Sequence, residues 1–222
     1  MVMFVGGSAA LGTETEHSDL DVTVVYDRLP NPIRESFFFE GWPVESSLTD
    51  VTTLERTMAV APHLGTCAVP ALVAKALALP AESELSRSLQ QRARDVIAAG
   101  PLPLTPSDHQ AARYGITYTL HKLAHAQERM FVGANLMMRL VNYWLRSRGR
   151  WGVSNTYIGQ RLREDDPAMA TRMLEVFTAM HAGELAPLDA LVDDVLAPFG
   201  GRLFDGYRDV LPPSERRARE LG

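Results

Sequence analysis

The chain has 222 residues, 46% of them hydrophobic and 22% charged, with a net charge of −5, the balance of a soluble globular protein with a sizeable core. That charge supplies no drive toward a nucleic-acid backbone, so no nucleic-acid partner is expected, and no apolar run approaches the roughly 20 residues that span a bilayer. Cys67 is the only cysteine, which excludes an internal disulfide and a cysteine-rich zinc site; MVMFVGGSAALG at the N-terminus lacks a basic leader, so the expected compartment is cytoplasmic.

In chain order, residues 3–5 form a short apolar strand that stops at Gly6-Gly7. Residues 19–26 (DLDVTVVY) are β-branched and alternate, with Asp19, Asp21 and Thr23 on one face and Leu20, Val22 and Val24 on the other. After Pro30 and Pro32, residues 35–40 and 42–48 are predicted as two strands joined by a tight turn at Gly41. Residues 69–79 are Ala/Leu-rich and predicted helical, as are residues 83–99, with apolar positions at Leu85, Leu89, Ala93 and Ile97 and a stop at Gly100.

GPLPLTP at residues 100–106 is the expected linker, because its prolines interrupt two long helical patterns. Beyond it, Ser107 or Asp108 can cap a helix running through residues 113–128, followed by helices over residues 134–148 and 166–181 and a charged tail, SERRARELG. The expected architecture is α+β, with a mixed-sheet domain over residues 1–100 and a helical bundle over residues 104–222.

The chemistry concentrates in GGSAALGTETEHSDLDV. Carboxylates two residues apart on a strand share a face, and two like charges held together are costly without a cation between them. Hard oxygen ligands at that spacing suit Mg²⁺ or Mn²⁺. Glu45, on a later strand, can complete the set as a third metal-binding acid, provided the strand register turns it to the same face. Gly7 and Ser8, at a strand end opening into a short helix, offer backbone N–H groups and a hydroxyl to phosphate. These parts suit phosphoryl transfer assisted by two metal ions.

The order strand, Gly7-Ser8, ten residues, Asp19-x-Asp21 resembles the signature of the polymerase-beta-like nucleotidyltransferases, whose small members include enzymes that modify aminoglycosides and lincosamides. RESFFFEGWPVESSL, ARDVIAAGPLPLT, RYGITYTLHKLAH and GRWGVSNTYIGQRLREDDP are similar to segments of uncharacterised bacterial members, so the resemblance covers most of the chain. It implies that Gly7 and Ser8 bind the triphosphate of ATP or another nucleoside triphosphate, and that Asp19, Asp21 and Glu45 bind Mg²⁺. It further implies transfer of a nucleotide to the hydroxyl of a small-molecule alcohol, with pyrophosphate released.

Enzymes of this kind take a general base from the helical half, where residues 118–122 (Tyr-Thr-Leu-His-Lys) contain no acid; His121 is the catalytic candidate, with Glu128 two turns further on. Arg113 is a candidate for the triphosphate from the same half. His121 and His125 are one helical turn apart, but the glutamate of the zinc-protease motif is absent between them. Two other classes stay open: a nucleotide-binding protein without turnover, and an antitoxin-type module. The second expects a helical protein partner; a homodimer is the other assembly considered.

Overall fold

The structure is a computed structural model that describes residues 1–124, 127, 129–153 and 157–210. The chain divides into two compact units, one of residues 1–102 with residues 149–153, the other of residues 103–148 with residues 154–222. The first unit gives way to the second between Leu102 and Pro103. The return of residues 149–153 to that unit was not anticipated. There Gly152 forms a bridge with Thr66, and the indole of buried Trp151 donates to the Ile97 carbonyl at 3.1 Å.

The first unit is a five-stranded mixed sheet with helices on one face. Its elements are β1 (Val2–Gly6), α1 (Gly7–Leu11), β2 (Leu20–Tyr26), β3 (Ile33–Phe39), β4 (Trp42–Asp50), α2 (Val51–Leu64), α3 (Ala68–Lys75), β5 (Leu77–Leu79) and α4 (Glu84–Ala99). The strand order is β3-β4-β2-β1-β5; β2 and β4 run parallel, and every other pair is antiparallel. The β3–β4 hairpin closes through Glu40 and Gly41, whose φ values of 49° and 87° are the paired positive angles of a two-residue turn suited to strand twist.

Val2, Phe4 and Val25 point from one face of this sheet into a core built with Leu54 and Met58 of α2, Val73 of α3, and Leu89 and Ala93 of α4. Residues two apart share a face, so Thr23 and Asp21 continue the row that Val25 begins, and Phe4 and Gly6 lie opposite them on β1. Asp21 therefore stands on the helix-covered face, where the apolar core ends.

Two elements differ from expectation. Helix α2 was not predicted, because Val51, Thr52, Thr53, Thr57 and Val60 favour strands and Pro62 sits in its last turn. Tertiary burial of Leu54, Met58 and Ala61 and an Asp50 N-cap, accepting from Thr53 N–H at 2.8 Å, hold it as a helix. The predicted helix over residues 69–79 ends at Lys75; Leu77–Leu79 instead pairs with the open edge of β1. At the change of direction, Gln90 of α4 donates to the Ala76 carbonyl at 2.8 Å, satisfying a buried acceptor. Helix α4 is as expected, started by a capping box in which Ser83 and Ser86 exchange backbone and side-chain bonds of 3.0 and 2.8 Å.

The second unit is helical among its described residues: α5 (Pro106–Ala124), α6 (Arg129–Arg146), α7 (Ile158–Asp165), α8 (Pro167–His181), α9 (Ala186–Leu196) and a 3-10 turn, Ala197–Phe199. Leu123, Leu136, Leu140, Met180, Leu188 and Leu191 are fully buried in it. A Cβ at Gly133 of α6 would lie 2.6 Å from the Met180 sulfur, so α6 and α8 approach closely there. Among the described residues no helix is long and apolar enough to cross a membrane.

Candidate functional site

β1 ends at Gly6 and α1 begins at Gly7, the strand-to-helix passage that the glycines suggest. A Cβ on Gly6 would lie 2.8 Å from Leu72 Cγ, so α3 packs directly over this point. Gly7 has φ of +72°, and a Cβ there would meet Asp21 Oδ2 at 2.5 Å. Only glycine fits both the backbone angle and the space that the Asp21 carboxylate fills.

Ser8 is tied to the segment that leads into the Asp pair. Its hydroxyl donates to Ser18 Oγ at 2.9 Å, Ser18 Oγ accepts from Thr15 N–H at 2.8 Å, and Thr13 N–H donates to the Ser8 carbonyl at 3.1 Å. Residues 12–18 thus fold back onto α1, and Ser18 delivers the chain to Asp19 at the start of β2. His17 lies in this segment with its side chain 85% exposed.

Asp21 and Glu45 are direct partners in the parallel β2–β4 ladder. Partners in a ladder share a face, so the register turns Glu45 to the side of Asp21. Asp21 is half-buried, and its carboxyl is held above its ordinary range by burial first and then by the charges of Asp19 and Glu45, against the opposing pull of Arg34. Asp19 and Glu45 also line a cleft of about 240 Å³ with Ser36, Phe37, Phe38, Pro43 and Val44.

Glu45 does not stand free: Arg34 of β3 donates to its carboxylate in a close ion pair. Among the described residues no three His, Cys, Asp or Glu side chains are gathered tightly enough to cage an ion as they stand. The donor chemistry nevertheless fits a hard divalent cation. Asp21 and Glu45 share one face with Asp19 beside them, Gly7 leaves room for the Asp21 carboxylate, and that carboxyl bears the mutual repulsion a cation would relieve. Arg34 is the internal competitor for Glu45.

The remaining candidates belong to the helical unit. Arg113 on α5 donates through Nε and Nη2 to the Gly201 and Gly200 carbonyls, each at 2.6 Å, so its guanidinium joins α5 to the segment after the 3-10 turn. His121, also on α5, is exposed and lines a cavity of about 360 Å³ with Thr117, Leu120, Asp189, Arg202 and Phe204. Glu128 and His125 lie outside the described residues.

Sequence reasoning missed Arg34 and Phe38. Both were within reach: a two-residue turn at Glu40-Gly41 pairs Ser36 with Glu45, and period-two alternation puts Arg34 and Phe38 on either side of Ser36, facing the same way.

Residues 2–56 match the family model of the nucleotidyltransferase domain. A comparison with curated proteins gives no match. Among solved structures, the chain is similar to a nucleotidyltransferase-like protein from Exiguobacterium sibiricum at 9% identity, over 89% of this chain and 68% of that one, with a TM-score of 0.44. Over this segment, which runs from the first strand through Gly7-Ser8, the Asp pair and Glu45 into α2, the chain is similar to the nucleotidyltransferase domain.

Proposed function

We propose that this chain transfers a nucleoside monophosphate, AMP from ATP in the first instance, to a hydroxyl of a small-molecule acceptor. The observation that carries the reading is the Asp21–Glu45 register, which supports a three-acid set with Asp19 on one sheet face. In the reaction the acceptor oxygen bonds to the α-phosphorus, the bond from that phosphorus to the bridging oxygen breaks, and pyrophosphate leaves with the electron pair.

Asp19, Asp21 and Glu45 would hold Mg²⁺. When bound, that ion supplies positive charge to the phosphate oxygens and lowers the pKa of the attacking hydroxyl. Gly7 and Ser8 hold the pyrophosphate end, through backbone N–H groups and the Ser8 hydroxyl now spent on Ser18. Glu45 exchanges Arg34 for the reacting centre and accepts the hydroxyl proton. A sugar-like alcohol is the first acceptor class to try, by family resemblance.

Calorimetry of ATP with and without Mg²⁺, on wild type and on Asp19→Ala/Asp21→Ala, tests the reading. Binding that requires metal and is lost in the double variant is the expected result. A folded wild type that binds no nucleoside triphosphate overturns it. His121→Ala in a pyrophosphate-release assay separates the two candidate bases: an unchanged kcat is expected with Glu45 as the proton acceptor, and a fall of about 10²-fold would assign that role to His121 instead.

A further inference from the structure

We propose that Phe38 is an acceptor-positioning residue: its ring, continued by Pro43, is a shelf on which a ring-bearing alcohol lies with its hydroxyl toward the carboxylates. The inference rests on the nucleotidyl-transfer reading above and adds to it the surface that selects the acceptor.

Phe38 and Pro43 are ladder partners on β3 and β4, one same-face step from the Ser36–Glu45 pair. They line the cleft that also contains Asp19 and Glu45. At 79%, Phe38 is the most exposed large apolar side chain among the described residues. An aromatic ring left in water beside charged groups, on an edge strand, is a liability that an occupant would remove.

The strand order says which substrate that occupant is. Gly7 and Ser8 follow β1, on one side of Asp21; β4 and β3 lie on the other. In-line displacement requires the attacking oxygen to approach the phosphorus from the side opposite the leaving pyrophosphate. With pyrophosphate at the β1 side, the acceptor comes from the β4–β3 side, which is where Phe38 stands. From β2 to β3 is two strand spacings, roughly 10 Å, room for one ring between the Phe38 shelf and the reacting centre. A ring with an apolar face, such as a pyranose or cyclohexanol ring, can lie on an aromatic face and keep its hydroxyls at the rim.

The test uses the full chain and the variants Phe38→Ala and Phe38→Trp. Mg²⁺-dependent ATP affinity is measured by calorimetry. Pyrophosphate release is measured with methyl pyranosides and cyclohexanol as ring alcohols and with glycerol as the acyclic control. Saturation-transfer NMR of the same alcohols reports ring contact without turnover. The expected result is that ring alcohols outperform glycerol and that Phe38→Ala raises their KM roughly tenfold and removes the ring-proton contact. ATP affinity should be unchanged, and Phe38→Trp should restore the acceptor KM. Loss of ATP affinity in Phe38→Ala makes the shelf a nucleobase platform and overturns the proposal. An unchanged acceptor KM, a preference for glycerol, or ATP binding with no response to any ring alcohol overturns it too, leaving the nucleotide site intact. Failure of wild type to bind ATP at all overturns the nucleotidyl-transfer reading itself, and this inference with it.

Discussion

Asp21 and Glu45 face each other across the parallel β2–β4 ladder, and the counter-ion the chain provides, Arg34, is bonded to Glu45. Asp21 is left with the harder position, half-buried and next to two other carboxylates. Glu45, one of the three acids proposed to hold Mg²⁺, is thus held by an arginine.

Arg34→Ala removes that competitor and a positive charge. Mg²⁺ affinity, read by calorimetry, is expected to rise about threefold to tenfold, since both partners of the ion pair are exposed and screened. The Asp21 carboxyl, which Arg34 holds down, should titrate at higher pH in the variant by NMR. An unchanged Mg²⁺ affinity would mean that Glu45 takes no part in binding the ion.

Asp21→Asn should stabilise the metal-free protein at neutral pH. The sign follows from the raised carboxyl: the folded state holds the proton more tightly than the unfolded state, so stability falls as pH rises through the folded value. Thermal unfolding of wild type and variant should converge once pH drops below the ordinary carboxylate value of 3.8, where both states are protonated. Above it the variant should melt higher, and Mg²⁺-dependent ATP binding should be lost. A variant that melts lower at pH 7 would show that Asp21 is satisfied within the fold.

Gly7→Ala places a methyl group at 2.5 Å from Asp21 Oδ2 on a backbone with φ of +72°. The left-handed backbone alone costs about 1–2 kcal/mol, and Asp21 must also move. Denaturant unfolding should show that loss, and calorimetry a fall of at least tenfold in metal-dependent ATP affinity. Retained affinity would separate Gly7 from the nucleotide site.

Arg113→Ala distinguishes an anchor from a phosphate ligand. Its two bonds to the Gly200 and Gly201 carbonyls predict a loss of about 2 kcal/mol in unfolding free energy. ATP affinity should be unchanged. A variant of normal stability with weakened ATP binding would return Arg113 to the nucleotide site.

The sequence by itself determined the elements whose local signals agree. The alternating, β-branched pattern of residues 19–26 predicts the strand found over Leu20–Tyr26, and Ser83 with Gly100 brackets α4 through capping chemistry confined to its own ends. The common side of Asp21 and Thr23 was legible for the same reason, since alternation fixes it. Arg34 and Phe38 were legible in principle, through a hairpin whose two-residue turn sets the pairing. What only the tertiary structure decided depends on partners distant in the chain. Leu77–Leu79 is a strand because β1 has an edge to fill, and α2 is a helix because Leu54, Met58 and Ala61 are buried in it, against the preference of its threonines and valines. Glu45 turns toward Asp21 through a parallel register between strands separated by a whole hairpin, and one residue of slip would have turned it away. Arg113 is engaged by carbonyls 87 and 88 residues away, a separation over which sequence spacing carries no geometry.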